Sequence, residues 1–266
     1  MTVRFTVNGS PLSVSAEPGE VLLDTLRRSG FTGVKAGCRS GNCGVCTVLL
    51  DGRPVPSCSV LTARVEGRSV TTIEGVGDPA HPHPLQTEFL ERSAAQCSYC
   101  MQGMIVSSKA LLDEIPHPSE QEIREHLTGN LCRCTGYVKA VEAVKAVAEG
   151  RAAGTAPAPG GPAGEPSTAP DGATMGAGGA ARAAADRRHA VGRSAPKVEG
   201  LGLLSGRARY TDDLAPPGTL TGRIKRSPHA HARIRRIDAS KALALPGVHA
   251  VLTWRDVPRV PFSTAS

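Results

Sequence analysis

Cys38-Arg39-Ser40-Gly41-Asn42-Cys43-Gly44-Val45-Cys46 puts three thiols on one glycine-punctuated loop, and Cys58 returns as a fourth from beyond a hairpin. The spacing is C-x4-C-x2-C-x11-C. A second set, Cys97, Cys100, Cys132 and Cys134, reads C-x2-C-x31-C-x-C. The two quartets use all eight cysteines of the 266-residue chain. Two complete four-ligand sets with no cysteine to spare point to inorganic chemistry. A thiolate committed to a metal is not free to attack, so no Cys-His or Ser-His-Asp nucleophile is assigned.

Composition supports small metal-stapled domains. With four Phe, three Tyr and one Trp, a single large aromatic core is not expected. Small domains bury little area and often need such staples. Met1–Asn8 lacks the basic start and apolar run of a signal peptide. No stretch reaches the roughly 18 apolar residues of a membrane span. Eight cysteines without a secretory signal hold metal more readily than disulfides, which places the chain in the cytoplasm.

Charge is uneven. Residues 1–150 carry 14 basic and 16 acidic side chains, whereas residues 178–266 carry 16 and 6. The basic arginines have almost no aromatic neighbours for base stacking. A solvated surface, or a face for an acidic protein, is the reading, with no nucleic-acid partner.

Along the chain, Thr2–Val7 alternates like a half-buried strand, and Asn8-Gly9 signals a hairpin returning through Leu12–Ser15. Val21–Arg28 reads as a helix stopped by Gly30. Thr47–Leu50 and Arg53–Val55 flank a second hairpin turn, Asp51-Gly52, and Val70–Ile73 adds a strand. From Pro84 the period becomes helical, with helices over Leu85–Arg92, Cys100–Leu112, Ser119 to about Leu127 with a capping box to Glu122, and Tyr137–Val147. Residues 151–190 are mostly Ala, Gly and Pro and read as a disordered linker. The dinucleotide-like match Gly176-x-Gly178-x-x-Ala181 has no preceding strand and is set aside as chance. Beyond it, strands at Leu220–Lys225, Arg233–Ile237 and Val248–Thr253, with a helical turn at Ser240–Leu245, suggest an α/β unit. The class is α+β, divided into 1–77, 78–150, the linker 151–190, and 191–266.

The first quartet has the plant-type [2Fe–2S] spacing. Its glycines allow positive φ angles and let backbone N–H groups approach the sulfurs, which also tunes a cluster's potential. Structural zinc is the competing reading, although zinc usually prefers two short C-x2-C pairs. The second quartet taken alone fits zinc or a redox pair as readily as iron–sulfur. Cys97 and Cys100 begin one helix and Cys132-Arg133-Cys134 precedes another, so both pairs are expected at helix N-termini, where the dipole favours thiolates. His229 and His231 form an H-x-H pair without a third ligand, and His81, His83 and His117 sit beside prolines; none is assigned chemistry.

Gln96-Cys97-x-x-Cys100 and Gly129-Asn130-Leu131-Cys132-Arg133-Cys134-Thr135-Gly136-Tyr137, with the first quartet before them, resemble the iron–sulfur subunit of the molybdenum hydroxylases, the xanthine dehydrogenase and aldehyde oxidoreductase family. The resemblance covers about residues 1–150. It implies a β-grasp ferredoxin domain (1–77) and a four-helix domain (78–150), each with one [2Fe–2S] cluster. It also implies that the second cluster lies nearer a molybdopterin and that Gln96 contacts the pterin. Ser98 stands where the family commonly has Gly, and Met101-Gln102 where Thr-Pro is frequent. Val191-Gly192-Arg193-Ser194, Gly206–Asp213 and Ser227–Ile234 resemble the start of the family's molybdenum-binding subunit, which is an α/β hammerhead domain. The chain thus reads as two subunits fused by a linker, the second truncated.

The resemblance implies an electron-transfer component. It would pass single electrons from a molybdopterin site through two [2Fe–2S] clusters to flavin or another acceptor. Molybdopterin and FAD would sit on partners, namely a molybdenum-binding subunit with a separate flavin subunit. The alternative is a zinc-binding or redox-sensing module without catalytic activity. A third reading makes residues 191–266 an inactive remnant.

Overall fold

A computed structural model describes residues 1–150, 197–214 and 216–258. The linker 151–190, its Gly176–Ala181 match and Val191–Ser194 lie outside these. The chain divides into two compact units, Met1–Ala215 and Pro216–Ser266.

The first unit opens with β1 (Thr2–Val7) and β2 (Ser10–Ser15), paired antiparallel from Thr2 opposite Ser15 to Val7 opposite Ser10. Asn8 and Gly9 take φ of 51° and 79°, the left-handed pair that an Asn-Gly hairpin requires. Helix α1 (Leu22–Arg28) then crosses the sheet on Leu22, Leu23 and Leu26. β3 (Thr47–Leu50) and β4 (Arg53–Pro56) form the second hairpin, and β5 (Ser69–Thr71) lies between the two hairpins, parallel to β1 and antiparallel to β3. The order is β2-β1-β5-β3-β4, a mixed five-stranded sheet.

The helical part contains α2 (Pro84–Glu91), α3 (Met101–Glu114), α4 (Glu120–His126) and α5 (Val138–Ala148). The Ser119–Glu122 capping box is present at the start of α4. β3 explains how the two parts join. Val48 and Leu50 pack into the core under α1, while Leu49, on the opposite face, joins the helical core with Met104 and Ile105. A strand covered on both faces needs a continuous apolar run, and Val48-Leu49-Leu50 supplies it. After the linker, α6 (Gly200–Leu204) adds Leu204 to that helical core.

The second unit departs from the sequence reading. The strands expected at Leu220–Lys225, Arg233–Ile237 and Val248–Thr253 are absent from its described residues, whose regular element is α7 (Ser240–Leu243). Leu220, Ile224, Ile234 and Leu252 are exposed. A strand exists by pairing its N–H and C=O groups with a neighbour, and alternation in sequence does not supply that neighbour. Among the described residues no helix is long and apolar enough to cross a membrane.

Candidate metal centres

The first quartet sits where the loop between α1 and β3 folds back over the short turn that carries Cys58. The loop turns its backbone inward on the sulfurs. Ser40 and Asn42 N–H groups donate to Cys38 Sγ at 3.4 Å, Cys38 N–H to Cys43 Sγ at 3.4 Å, and Gly41 N–H to Cys58 Sγ at 3.3 Å. Donors aimed at sulfur favour the thiolate. The Ser40 hydroxyl and N–H, with Cys43, hold the exposed Cys38 down at about 6. Burial instead pushes Cys46, which lies beside Cys58, up to about 11. Cys38 therefore meets Cys43, and Cys46 meets Cys58.

In the second quartet Cys100 lies beside Cys132, and Cys134 beside both Cys97 and Cys132. Burial raises Cys100, and the charge of Cys97 raises Cys134. Cys132 is lowered against its burial by the Thr135 hydroxyl and the Cys134 N–H. Cys132 N–H donates to the Tyr137 hydroxyl at 2.8 Å. A thiol raised by burial keeps its proton until a cation replaces it, and metal binding releases such protons.

Helix N-termini explain half of this arrangement. Cys100 is the N-cap of α3, as its spacing suggests. Cys132 and Cys134 do not begin α5, because Thr135-Gly136-Tyr137 intervenes and left-handed Gly136 and Tyr137 turn the chain before Val138. Their donors come from the loop instead of a helix dipole. Ser98 has φ of 64° and is buried, a conformation in which glycine is least strained.

The quartets meet at a seam. Leu131 N–H donates to the Cys43 carbonyl at 2.9 Å, and Asn130 Nδ2 to the Gly44 carbonyl at 3.1 Å. Gly44 has φ of 65°, and a Cβ there would strike the Gly129 carbonyl; a Cβ on Gly103 of α3 would strike Gly44 in turn. Backbone thus packs directly on backbone between the two loops. Cys38 of the first quartet and Cys97 and Cys134 of the second are exposed.

Gln96 is exposed beside the second quartet, with its Nε2 donating to the Cys134 carbonyl at 3.0 Å. His229 and His231 are exposed, and the described residues hold no group of three or more His, Cys, Asp or Glu converging on a single ion. Sequence reasoning missed Lys35, Tyr99, Gln102, Tyr210 and Asp213 as parts of the site's surroundings. A buried Lys35 paired with a buried Asp213 has no local signature, although Asp213 closes a motif already singled out.

Comparison with known proteins covers most of the chain. The 2Fe-2S iron-sulfur cluster binding domain matches residues 5–70, the [2Fe-2S] binding domain residues 72–145, and the aldehyde oxidase and xanthine dehydrogenase a/b hammerhead domain residues 205–265. The nicotinate dehydrogenase small FeS subunit of Eubacterium barkeri is 45% identical over 150 residues, 56% of this chain and 96% of that protein. Aldehyde oxidoreductase of Megalodesulfovibrio gigas is 38% identical over 263 residues, 95% of this chain but 26% of that protein. The crystal structure of the Desulfovibrio desulfuricans aldehyde oxidoreductase superposes with a TM-score of 0.76 at 36% identity, covering 97% of this chain and 27% of that one. The chain therefore spans about a quarter of the length of these two aldehyde oxidoreductases.

Proposed function

The chain belongs to the xanthine dehydrogenase and aldehyde oxidoreductase family, as an iron–sulfur component fused to a fragment of the molybdenum-binding subunit, and from that premise we propose that it carries single electrons between a molybdopterin site and an acceptor through the two cysteine quartets. The two [2Fe-2S] binding domains make it a component of an oxidoreductase. In the proposed assignment Cys38, Cys43, Cys46 and Cys58 hold one cluster, and Cys97, Cys100, Cys132 and Cys134 the other. When bound, such a cluster exchanges one electron at a time at a potential set by its hydrogen bonds and exposure.

The observation that carries this reading is that each cysteine quartet falls within one of the two matched iron–sulfur domains, Cys38 to Cys58 within residues 5–70 and Cys97 to Cys134 within residues 72–145. The remaining work belongs to the chain's own residues. Loop N–H groups from Ser40, Gly41 and Asn42 stabilise the first set, and the seam from Cys43 to Leu131 fixes its distance from the second. Gln96, exposed beside Cys97 and Cys134, suits contact with a molybdopterin held by a molybdenum-binding partner. Cys38, exposed on the first quartet, suits delivery to a flavin subunit or another acceptor. Eight cysteines without a disulfide partner fit a reducing, cytoplasmic setting.

Iron and acid-labile sulfide analysis tests the proposal. About four irons per chain, matched by sulfide, and two distinguishable EPR signals after reduction are expected. Zinc in place of iron, or a colourless protein after anaerobic reconstitution, would sink it.

A further inference from the structure

Residues 197–214 lie outside both quartets, yet they grip the main chain beside each. Lys197 Nζ donates to the Gln96 carbonyl at 2.6 Å. Gln102 Nε2 donates to the Leu203 carbonyl at 2.7 Å and Gln86 Nε2 to that of Leu204 at 3.2 Å, so α6 is held from α3 and α2. Further on, the fully buried side chains of Lys35 and Asp213 form an ion pair at 2.7 Å, and Arg27 adds a second cation to Asp213 at 2.9 Å. Lys35 Nζ also donates to the Ala208 carbonyl at 3.0 Å and stands 4.7 Å from the centre of the Tyr210 ring.

Tyr210 is thereby fixed from three sides. Its N–H donates to Asp213 Oδ2 at 2.8 Å, Lys35 covers its face, and Tyr99 meets it edge-on with centroids 5.1 Å apart. Its hydroxyl donates to the Cys97 carbonyl at 2.6 Å. Tyr99, between Cys97 and Cys100, donates its own hydroxyl to the Ala36 carbonyl at 2.8 Å, two residues before Cys38. The two rings bridge the outer sides of both loops.

We propose that Lys197–Asp213 is a strap whose Tyr210 hydroxyl, locked by Lys35 and Asp213, positions the Cys97 end of the second quartet and raises the reduction potential of the cluster held there. The inference rests on the reading of Cys97 as a ligand. A donor on the ligand's own peptide withdraws electron density and places a positive dipole end where charge accumulates on reduction; hydrogen bonding of this kind tunes iron–sulfur potentials. Tyr210 is a positioning residue, since it acts through Cys97.

The experiment is an EPR-monitored redox titration of the full-length, iron-loaded chain, with each signal assigned by Cys43→Ser and Cys132→Ser. Tyr210→Phe keeps the ring and loses the hydroxyl. The second cluster's midpoint is expected to move to more negative potential while the first stays in place. A second variant, Lys35→Met with Asp213→Leu, frees the strap end without leaving a buried lysine unpaired, Arg27 retaining Asp212 at 3.6 Å, and is expected to shift the second midpoint in the same direction. Unmoved midpoints in both variants, or equal shifts of both clusters, would overturn the strap's role. A wild-type chain without two signals would instead overturn the cluster assignment itself.

Discussion

Leu131 donates its backbone N–H to the carbonyl of Cys43 at 2.9 Å, so the residue preceding Cys132 is hydrogen-bonded to a member of the other quartet. Helices α2, α3 and α4 separate Cys58 from Cys132 in sequence, yet the two loops share a main-chain contact. Cys38, Cys97 and Cys134 are exposed, whereas Cys46 and Cys58 are buried.

That seam tolerates no side chain at Gly103. Replacing it by alanine drives a Cβ into the Gly44 carbonyl and to 2.8 Å from the Val45 carbonyl, and both are backbone atoms that cannot rotate away. Gly103→Ala is expected to destabilise the chain by about 1–3 kcal/mol, the usual cost of overpacking. Denaturant unfolding measures the loss. A stability unchanged within error would show that the loops part easily.

Cys43→Ser removes a thiol but leaves the carbonyl that Leu131 uses. One of the two EPR signals is expected to vanish while the other keeps its line shape, and Cys132→Ser should give the reciprocal result. Loss of both signals from either single variant would mean that the quartets do not load independently.

Asp213→Asn leaves Lys35 buried without its counter-charge. Breaking a buried pair by removing one partner typically costs about 3–5 kcal/mol, and a loss of that order is expected in thermal or denaturant unfolding. The double variant Lys35→Met with Asp213→Leu should recover part of it, because no buried lysine is left unpaired and Arg27 keeps Asp212 at 3.6 Å. The pair also makes a pH prediction. Although burial opposes ionisation, Lys35, the Tyr210 N–H and Arg27 hold the Asp213 carboxyl below its ordinary value. A carboxylate lowered by folding stabilises fully above its unfolded value of about 3.9, and the contribution is lost as pH falls through the lowered folded value. Below about pH 4 the wild type should therefore lose stability faster than Asp213→Asn.

Ser119 accepts from the Glu122 N–H at 3.2 Å, and Glu122 accepts from the Ser119 N–H at 2.7 Å. Ser119→Ala should cost about 1 kcal/mol, read by thermal melting, without altering either EPR signal. A change in the second cluster's spectrum would show that α4 helps to hold it.

Much of the fold could be read locally. Asn8-Gly9 and Asp51-Gly52 announced both hairpins because two left-handed residues in succession suit few other pairs. The helices from α2 to α5 followed from apolar spacing, and Ser119-x-x-Glu122 marked the start of α4. The three strands beyond residue 216 failed as expectations for the opposite reason: alternation describes a strand's faces and leaves its edges without a partner.

By itself the sequence grouped the eight cysteines into two sets and indicated a small sheet and a group of short helices, while Gln96 and Gly129–Tyr137 were tied together only by a family resemblance. Spacing carries the first kind of information because a short loop can bring only near residues onto one centre. Tertiary structure alone decided that Leu49 joins the helical core, that Leu131 reaches Cys43, and that Lys35 is matched by Asp213 from 178 residues away. These contacts depend on packing between distant segments, where burial makes each hydrogen bond and charge pair obligatory. No local pattern records which distant group will answer it.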